Sequence, residues 1–419
     1  MLDLKLLREQ PEVVREALRN RGGRVLLDGL LAREQERRDL IGGIDRDRQL
    51  LKQRSEEFAR QRKTKDAAPP EDLKRLSSDI KRREQQLKEV EERILEELAV
   101  VPNVPHRSVP VGDASANQVV RTVGKPPALS FAPKTHVALA ESLGLMDFAR
   151  GAKVSGSHFP LFTGPGARLE RALIQWMLDV HTREHGYTEI SPPFLVNRAA
   201  MFGTGQLPKF EEDMYRLKDD DLFLVPTAEV PLTNLHRDEI LEENQLPVRY
   251  VAYSPCFRRE AGSYGKETQG LVRVHQFDKV ELVKFTTPEA SYDEHERLLA
   301  DAETILKRLG LHYRVVCLAT GDLSFAAAKC YDLEAWAPGL NRYLEVSSCS
   351  NFEAFQARRA SIRFRRRETK KTEPVHTLNG SGVALARTVI CLLESHQRAD
   401  GHVDVPGPLQ PYLDGATTL

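Results

Sequence analysis

Two arginine-bearing stretches and two hydroxyl–carboxylate pairs are the places where this 419-residue sequence could do chemistry. The first is Phe257-Arg258-Arg259-Glu260, followed by a stretch with Gly262, Gly265 and Gly270 and then by Leu271 to Phe277. It reads as a hairpin with charge on its first strand and a glycine-bearing connection. Guanidinium groups fixed beside an acid suit a phosphate next to a nitrogenous base, although F-R-x-E alone is equally at home on a solvated surface hairpin. If 271–285 is one regular strand, Arg273, His275, Phe277, Lys279 and Glu281 share a face. Phe277 and Glu281 then stand ~13 Å apart along it, about the span of a nucleotide joined to a small amino acid. An aromatic plate and an acid at that separation could read the two ends of an adenylate. A bulge would break that alternation.

The second stretch is Asn379-Gly380-Ser381-Gly382 leading into Val383-Ala384-Leu385-Ala386-Arg387. It reads as two glycines opening an apolar helix, where backbone can approach an anion closely. Arg387 lies among Ala384, Leu385, Ala386, Val389 and Ile390, a setting in which a lone charge is costly and a ligand would relieve it. The hydroxyl–carboxylate pairs are Thr227-Ala228-Glu229 and Glu345-Val346-Ser347-Ser348. Each suits an ammonium group or a hard cation such as magnesium, and each also fits a plain strand end. There is no G-x-x-x-x-G-K-[ST] and no H-E-x-x-H, which excludes a P-loop and that zinc motif.

The elements that must position these groups differ between the two ends of the chain. Leu30, Ile44, Leu51 and Phe58 share one seven-residue register, and Leu27 and Ile41 another. After Ala67-Ala68-Pro69-Pro70, the residues Leu73, Leu76, Ile80, Leu87, Val90 and Ile94 recur at threes, fours and sevens. These are two helices of an antiparallel hairpin, each ~45–50 Å long and expected to project as an arm. Pro102 and Pro105 end the second helix and begin a linker. The turn-proximal part, 58–83, carries nine basic residues against four acids, while the base is net acidic. That polarity favours a polyanion at the far end. From about residue 161 a helix over Ala167–His185 precedes short β-type runs at 222–225, 248–254, 271–285 and 342–348. Helices near 289–309 and over Val383–Gln397 complete an α+β domain around an antiparallel sheet.

Composition limits the alternatives. Lys+Arg and Asp+Glu are both 61, so no global basic excess points to nucleic acid. The five cysteines form no C-x-x-C, which argues against a disulfide framework or a thiolate zinc site, and Cys256 reads as a small core residue. No apolar run approaches a membrane span and the N-terminus reads as no leader, pointing to a soluble, reducing compartment.

In order along the chain, the opening Met1-Leu2-Asp3-Leu4-Lys5-Leu6-Leu7-Arg8, the hairpin, Thr227-Ala228-Glu229, Phe257–Phe277 and His376-Thr377-Leu378-Asn379-Gly380-Ser381-Gly382 resemble bacterial-type seryl-tRNA synthetases. The helix at 167–185 with Gly186 and Pro192 resembles motif 1 of class II synthetases, Phe257–Phe277 motif 2 and Gly380–Arg387 motif 3. The resemblance implies a tRNA-binding domain over 1–110 and a class II catalytic domain over 111–419. It implies ATP held by Arg258, Arg259, Glu260, Val274, Phe277, Glu345, Val346, Ser347, Ser348 and Arg387, with Arg258 on the α-phosphate and Phe277 stacked on adenine. Serine would be surrounded by Thr227, Ala228, Glu229, Glu281 and Ser381; magnesium would lie on Glu345 and Ser348, and no zinc is expected. Regular alternation would instead put Ser347 on the face of Glu345, so the pairing with Ser348 requires a bulge. Class II motif 3 usually has an acid before its arginine, where this chain has Ala386. The partners implied are tRNA(Ser), and tRNA(Sec) where it exists, on the basic arm; a second copy through motif 1; no membrane; and a cytoplasmic setting. The alternatives are an amino-acid ligase charging a carrier protein, whose relatives lack the arm, and a non-catalytic RNA-binding homologue, which would have lost Arg258, Glu260, Glu281 or Arg387.

Overall fold

The computed structural model describes residues 1–23, 27–61, 70–261 and 270–419. Gly262, Gly265 and the hairpin turn before Pro70, with Arg62, Lys63 and Lys65, fall outside the described residues. The chain divides into two compact units. One comprises Leu2–Arg19 and Gly23–Pro102; the other comprises Asn103–Leu419 with Met1 and Asn20–Gly22.

The first unit is the helical hairpin with two short helices before it. Helix α1 (Leu27–Gln61) and helix α2 (Glu71–Ala99) lie antiparallel. The apolar periodicity has one seam, because 3.6 residues per turn brings threes and fours onto one face. Leu27, Leu30 and Ile44 are buried on α1, and Leu73, Ile80, Val90 and Ile94 on α2. Ile41, Leu51 and Phe58 are only half-buried. The register is marked by ion pairs Arg33–Glu97 at 2.9 Å, Arg37–Glu91 at 2.9 Å, Asp47–Arg83 at 2.9 Å and Arg54–Asp72 at 3.0 Å. Being at least partly exposed, they select the pairing more than they stabilise it. Gly43 leaves room for the Arg83 guanidinium, which a Cβ there would approach to 2.8 Å.

The second unit is built on one eight-stranded sheet. Its strands are β1 (Gln118–Val123), β2 (Thr188–Glu189), β3 (Val248–Phe257), β4 (Gln276–Thr286), β5 (Tyr313–Cys317), β6 (Lys329–Ala337), β7 (Arg342–Asn351) and β8 (His376–Ala384). Their order is β1-β5-β6-β7-β8-β4-β3-β2, antiparallel throughout except for β2 beside β3. Helices α3 (His136–Ser142), α4 (Gly164–Arg183), α5 (Ser291–Arg308) and α6 (Leu385–Ser395) flank it. The apolar stripe of α4, Leu169, Leu173, Trp176, Met177 and Val180, is buried in the main core with Leu298, Ile305, Val389 and Leu393. Gly186 follows α4 at φ 71°, a turn that a side chain would disfavour. All five cysteines are free and buried. Among the described residues no helix is long and apolar enough to cross a membrane.

Three expectations about local structure are corrected. Residues 271–275 are irregular and β4 begins only at Gln276, so Arg273 and His275 are not part of the strand. The glycines at 380 and 382 do not open a helix: they lie inside β8, and α6 starts at Leu385. Their need is close packing, since a Cβ at Gly380 would meet the Leu298 side chain at 2.4 Å and one at Gly382 the His181 ring at 2.9 Å. Finally, Arg258, Arg259 and Glu260 stand beyond the end of β3, not on it.

Candidate active site

Strands β4, β7 and β8 and the start of α6 line one cavity of about 340 Å³, within the usual range for a small-molecule site. Along β4 the pairing with β3 is regular from Gln276 to Phe285. Alternation therefore turns Phe277, Lys279 and Glu281 into the cavity together. On β7 the register slips between Glu345 and Ser347, opposite Glu334 and Leu333. That bulge carries Glu345, Val346, Ser348 and Ser350 to the cavity. Ser347 is turned away and buried, its hydroxyl donating to the Ser381 carbonyl at 2.7 Å. A second slip, between Ser381 and Val383 on β8, keeps Asn379 and Ser381 in the cavity wall and delivers Ala384, Ala386 and Arg387 beside them.

One end of the cavity is a buried polar constellation. Glu281 is fully buried, and its Oε1 accepts the Asn379 side-chain amide at 2.9 Å. Lys279 Nζ lies 2.6 Å from Glu281 Oε2 and donates to Thr227 Oγ1 at 2.7 Å. Thr227 Oγ1 also accepts the Glu229 backbone N–H at 3.2 Å. Glu229 Oε1 accepts the Gln356 amide at 2.6 Å, and Gln356 Oε1 accepts the Thr377 hydroxyl at 2.8 Å. Burial first, and the Glu281 carboxylate second, push the Glu229 carboxyl up to about 7, against the pull of Gln356, Lys279 and Arg258. With Glu229 ionised, two carboxylates face one ammonium, and a second ammonium would neutralise the excess negative charge.

The other end is cationic. Arg258 Nε donates to the Pro226 carbonyl at 3.4 Å, and its guanidinium sits 5.2 Å over the Phe277 ring. Arg387 donates to the Val272 carbonyl at 3.3 Å and to the Glu345 carbonyl at 2.9 Å, with the Glu345 carboxylate at 3.4 Å. Glu260, at φ 50°, pairs with Arg273 at 3.1 Å. Asp332, next to Ser348 across the bulge, is held well above the usual carboxylate range by burial and then by the Glu345 charge.

Among the residues proposed from sequence, Arg258, Glu260, Val274, Phe277, Glu345, Val346, Ser348, Arg387, Thr227, Glu229, Glu281 and Ser381 meet in this cavity. Arg259 is exposed and outside the lining, and Ala228 is wholly buried behind it. Three participants carried no assigned role. Lys279 was legible only as a member of the strand face. Asn379 could have been found from its spacing of two before Ser381. Gln356 comes from a short helix, Phe355–Arg359, and no local pattern marks it.

Residues 209–396 match the class II core domain of the tRNA synthetases for G, H, P, S and T, and residues 1–105 match the seryl-tRNA synthetase N-terminal domain. The serine–tRNA ligase of Desulfosudis oleivorans is 53% identical over the whole of both chains. Among solved structures, seryl-tRNA synthetase from Pyrococcus horikoshii complexed with ATP is 40% identical, covering 100% of this chain and 99% of its own, with a TM-score of 0.92. The cytoplasmic serine–tRNA ligase from Naegleria fowleri in complex with AMP is 32% identical, covering 100% and 98%, at 0.88. The two-part match places the core among class II aminoacyl-tRNA synthetases. The chain belongs to the seryl-tRNA synthetase family.

Proposed function

We propose that this cavity forms seryl adenylate from L-serine and ATP, and that the chain then passes the seryl group to the 3′ end of tRNA(Ser), and of tRNA(Sec) where that tRNA exists. The observation that carries the reading is the joining of Lys279, Thr227, Glu229 and Glu281 at one end of a single cavity with Arg258 and Arg387 at the other. The ATP and AMP bound by the two similar proteins support a nucleotide substrate, and the two guanidinium groups suit its phosphates.

In the first step a serine carboxylate oxygen attacks the α-phosphorus, the bond to the β-phosphate breaks and pyrophosphate leaves. In the second a terminal ribose hydroxyl attacks the acyl carbon and AMP leaves. No side chain is a nucleophile; placement and charge do the work. Arg258 takes the α-phosphate, where the oxygens on the five-coordinate phosphorus gather charge. Phe277 and Arg387 hold adenine between ring and guanidinium, with Glu260 and Val274 at its edge. Glu229 and Thr227 receive the serine ammonium, Ala228 contributes only backbone, and Glu281 accepts the serine hydroxyl near Ser381. An all-oxygen pair of one carboxylate and one hydroxyl, Glu345 and Ser348, would suit magnesium, a hard cation that would still need ligands from outside the protein. Bound there, the ion would neutralise charge on the triphosphate. Among the described residues no group of three His, Cys, Asp or Glu side chains stands ready to hold a metal without such help.

The division of labour proposed is tRNA binding by residues 1–110, through the hairpin, and catalysis by 111–419. A second copy would pack through the α4 region, and the cytoplasm is the proposed setting. A carrier-protein ligase is not favoured, because the N-terminal match covers the hairpin. The test is pyrophosphate exchange into ATP with each of the twenty amino acids: serine alone should support it, and dependence on another amino acid would overturn the assignment.

The raised Glu229 pKa adds a pH prediction. Only the carboxylate form receives an ammonium, and its proton leaves at about pH 7 in the empty site. The KM for serine should be flat above that value and rise roughly tenfold per pH unit below it. Initial rates between about pH 5.5 and 8.5 would show the break. Glu229→Gln should weaken serine binding and remove it, and a wild-type profile without a break would sink the contact.

A further inference from the structure

Away from the cavity, a buried histidine ties two parts of the site together. His136, at the start of α3, is 1% exposed, and Glu394, on α6, is 0% exposed. Glu394 Oε1 accepts both the His136 backbone N–H at 2.9 Å and the ring at Nδ1 at 2.9 Å, while its Oε2 accepts the Leu340 N–H at 3.1 Å. The other ring nitrogen, Nε2, accepts the Leu271 N–H at 3.2 Å. The pattern sets the tautomer: the ring hydrogen lies on Nδ1, and Nε2 presents its lone pair.

Leu271 itself lines the cavity. The next residues, Val272, Arg273 and Val274, line the arginine end. Gly270 precedes it at φ 67°, and a Cβ there would lie 2.2 Å from His136 Nε2, so the backbone is laid directly onto the imidazole. Helix α6 therefore holds this segment twice. Arg387 grips the Val272 carbonyl directly, at 3.3 Å, and Glu394 grips the Leu271 N–H through His136.

We propose that His136, oriented by Glu394, is a positioning residue for the nucleotide half of the cavity. By pinning the Leu271 amide it sets the height of Val272 and Val274 against Arg387, and hence the slot an adenine must enter. It touches nothing at the serine end, where β4 and β8 are held by their own ladder. The proposal rests on the adenylate-forming reading of this cavity.

Pyrophosphate exchange by the full-length protein separates the two ends. His136→Phe keeps an aromatic ring but removes both the acceptor for Leu271 and the donor to Glu394; loss of the Leu271 bond should raise the KM for ATP about five- to tenfold, the worth of one buried hydrogen bond, with the KM for serine within about twofold. His136→Gln keeps a terminal acceptor and should recover most of that loss. Gly270→Ala keeps both His136 and Glu394 and forces the Leu271 amide and the imidazole apart, because its Cβ would lie 2.2 Å from His136 Nε2, so it should reproduce the selective ATP defect even if His136→Phe folds poorly. Hydrogen exchange at the Leu271 amide should quicken in His136→Phe and Gly270→Ala. An ATP KM unchanged in both His136→Phe and Gly270→Ala, or one that rises in step with the serine KM, would overturn the positioning role. Absence of serine-dependent exchange in the wild type would instead overturn the functional reading on which it rests.

Discussion

Glu281→Ala should lower kcat/KM for serine-dependent pyrophosphate exchange by about 10³-fold or more while costing alanine far less. The reason is the state of the carboxylate. Glu281 is fully buried, its Oε1 is committed to Asn379, and Oε2 faces Lys279 at 2.6 Å without a hydrogen bond of its own. Oε2 thus has acceptor capacity for a hydroxyl. Alanine in the same pocket would leave that capacity unmet, and sites of this kind discriminate by ~10⁴–10⁵. Threonine keeps the hydroxyl and is rejected only by its added methyl, at ~1–3 kcal/mol. The variant also strands the buried Lys279 ammonium, so Glu281→Gln is its necessary companion: it keeps an acceptor oxygen and removes the charge. Rates with serine, threonine and alanine for both variants are the measurement. The serine-to-alanine ratio should collapse in Glu281→Ala and partly survive in Glu281→Gln. A uniform loss for all three amino acids would assign Glu281 to nucleotide binding or to folding, and its specificity role would fall.

Deleting residues 33–97 should abolish tRNA charging, by on the order of 10³-fold or more, and leave serine-dependent exchange nearly untouched. The ends of this deletion are neighbours, since Arg33 and Glu97 form an ion pair at 2.9 Å across the hairpin base. A short glycine-containing bridge can therefore replace the helices without strain. The cavity draws its lining wholly from residues 204–387, so its chemistry has no need of the hairpin. What would be lost is the surface proposed to contact phosphates, whose positive charge lies in the turn-proximal stretch of the sequence. Aminoacylation and exchange measured on the same folded preparation decide the matter. Loss of both activities in a protein that retains its melting transition would show the two units to be catalytically inseparable.

Several features of this chain were legible without coordinates because they are local. The hairpin follows from apolar spacing at threes, fours and sevens, which only a helix seam satisfies. The shared face of Phe277, Lys279 and Glu281 follows from a period of two on a strand whose register with its neighbour is regular. Other features depended on what lies across the sheet. The alternation of Glu345 and Ser348 is invisible in sequence, because the bulge at Val346 exists only through pairing with Glu334 and Leu333. Gly380 and Gly382 looked like a helix start, since a glycine reports that space is scarce without saying what fills it; Leu298 and His181 fill it, and the segment is a strand. Gln356 and His136 carry no signal at all, being polar residues on short helices whose partners, Glu229 and Glu394, lie 127 and 258 residues away. Sequence by itself determined the residue types that can bind an amino acid and a nucleotide, and the helices and strands that carry them. Tertiary structure decided which of those side chains face one another, because a strand's face is set by its neighbour's register and a buried polar group by whichever distant partner satisfies it.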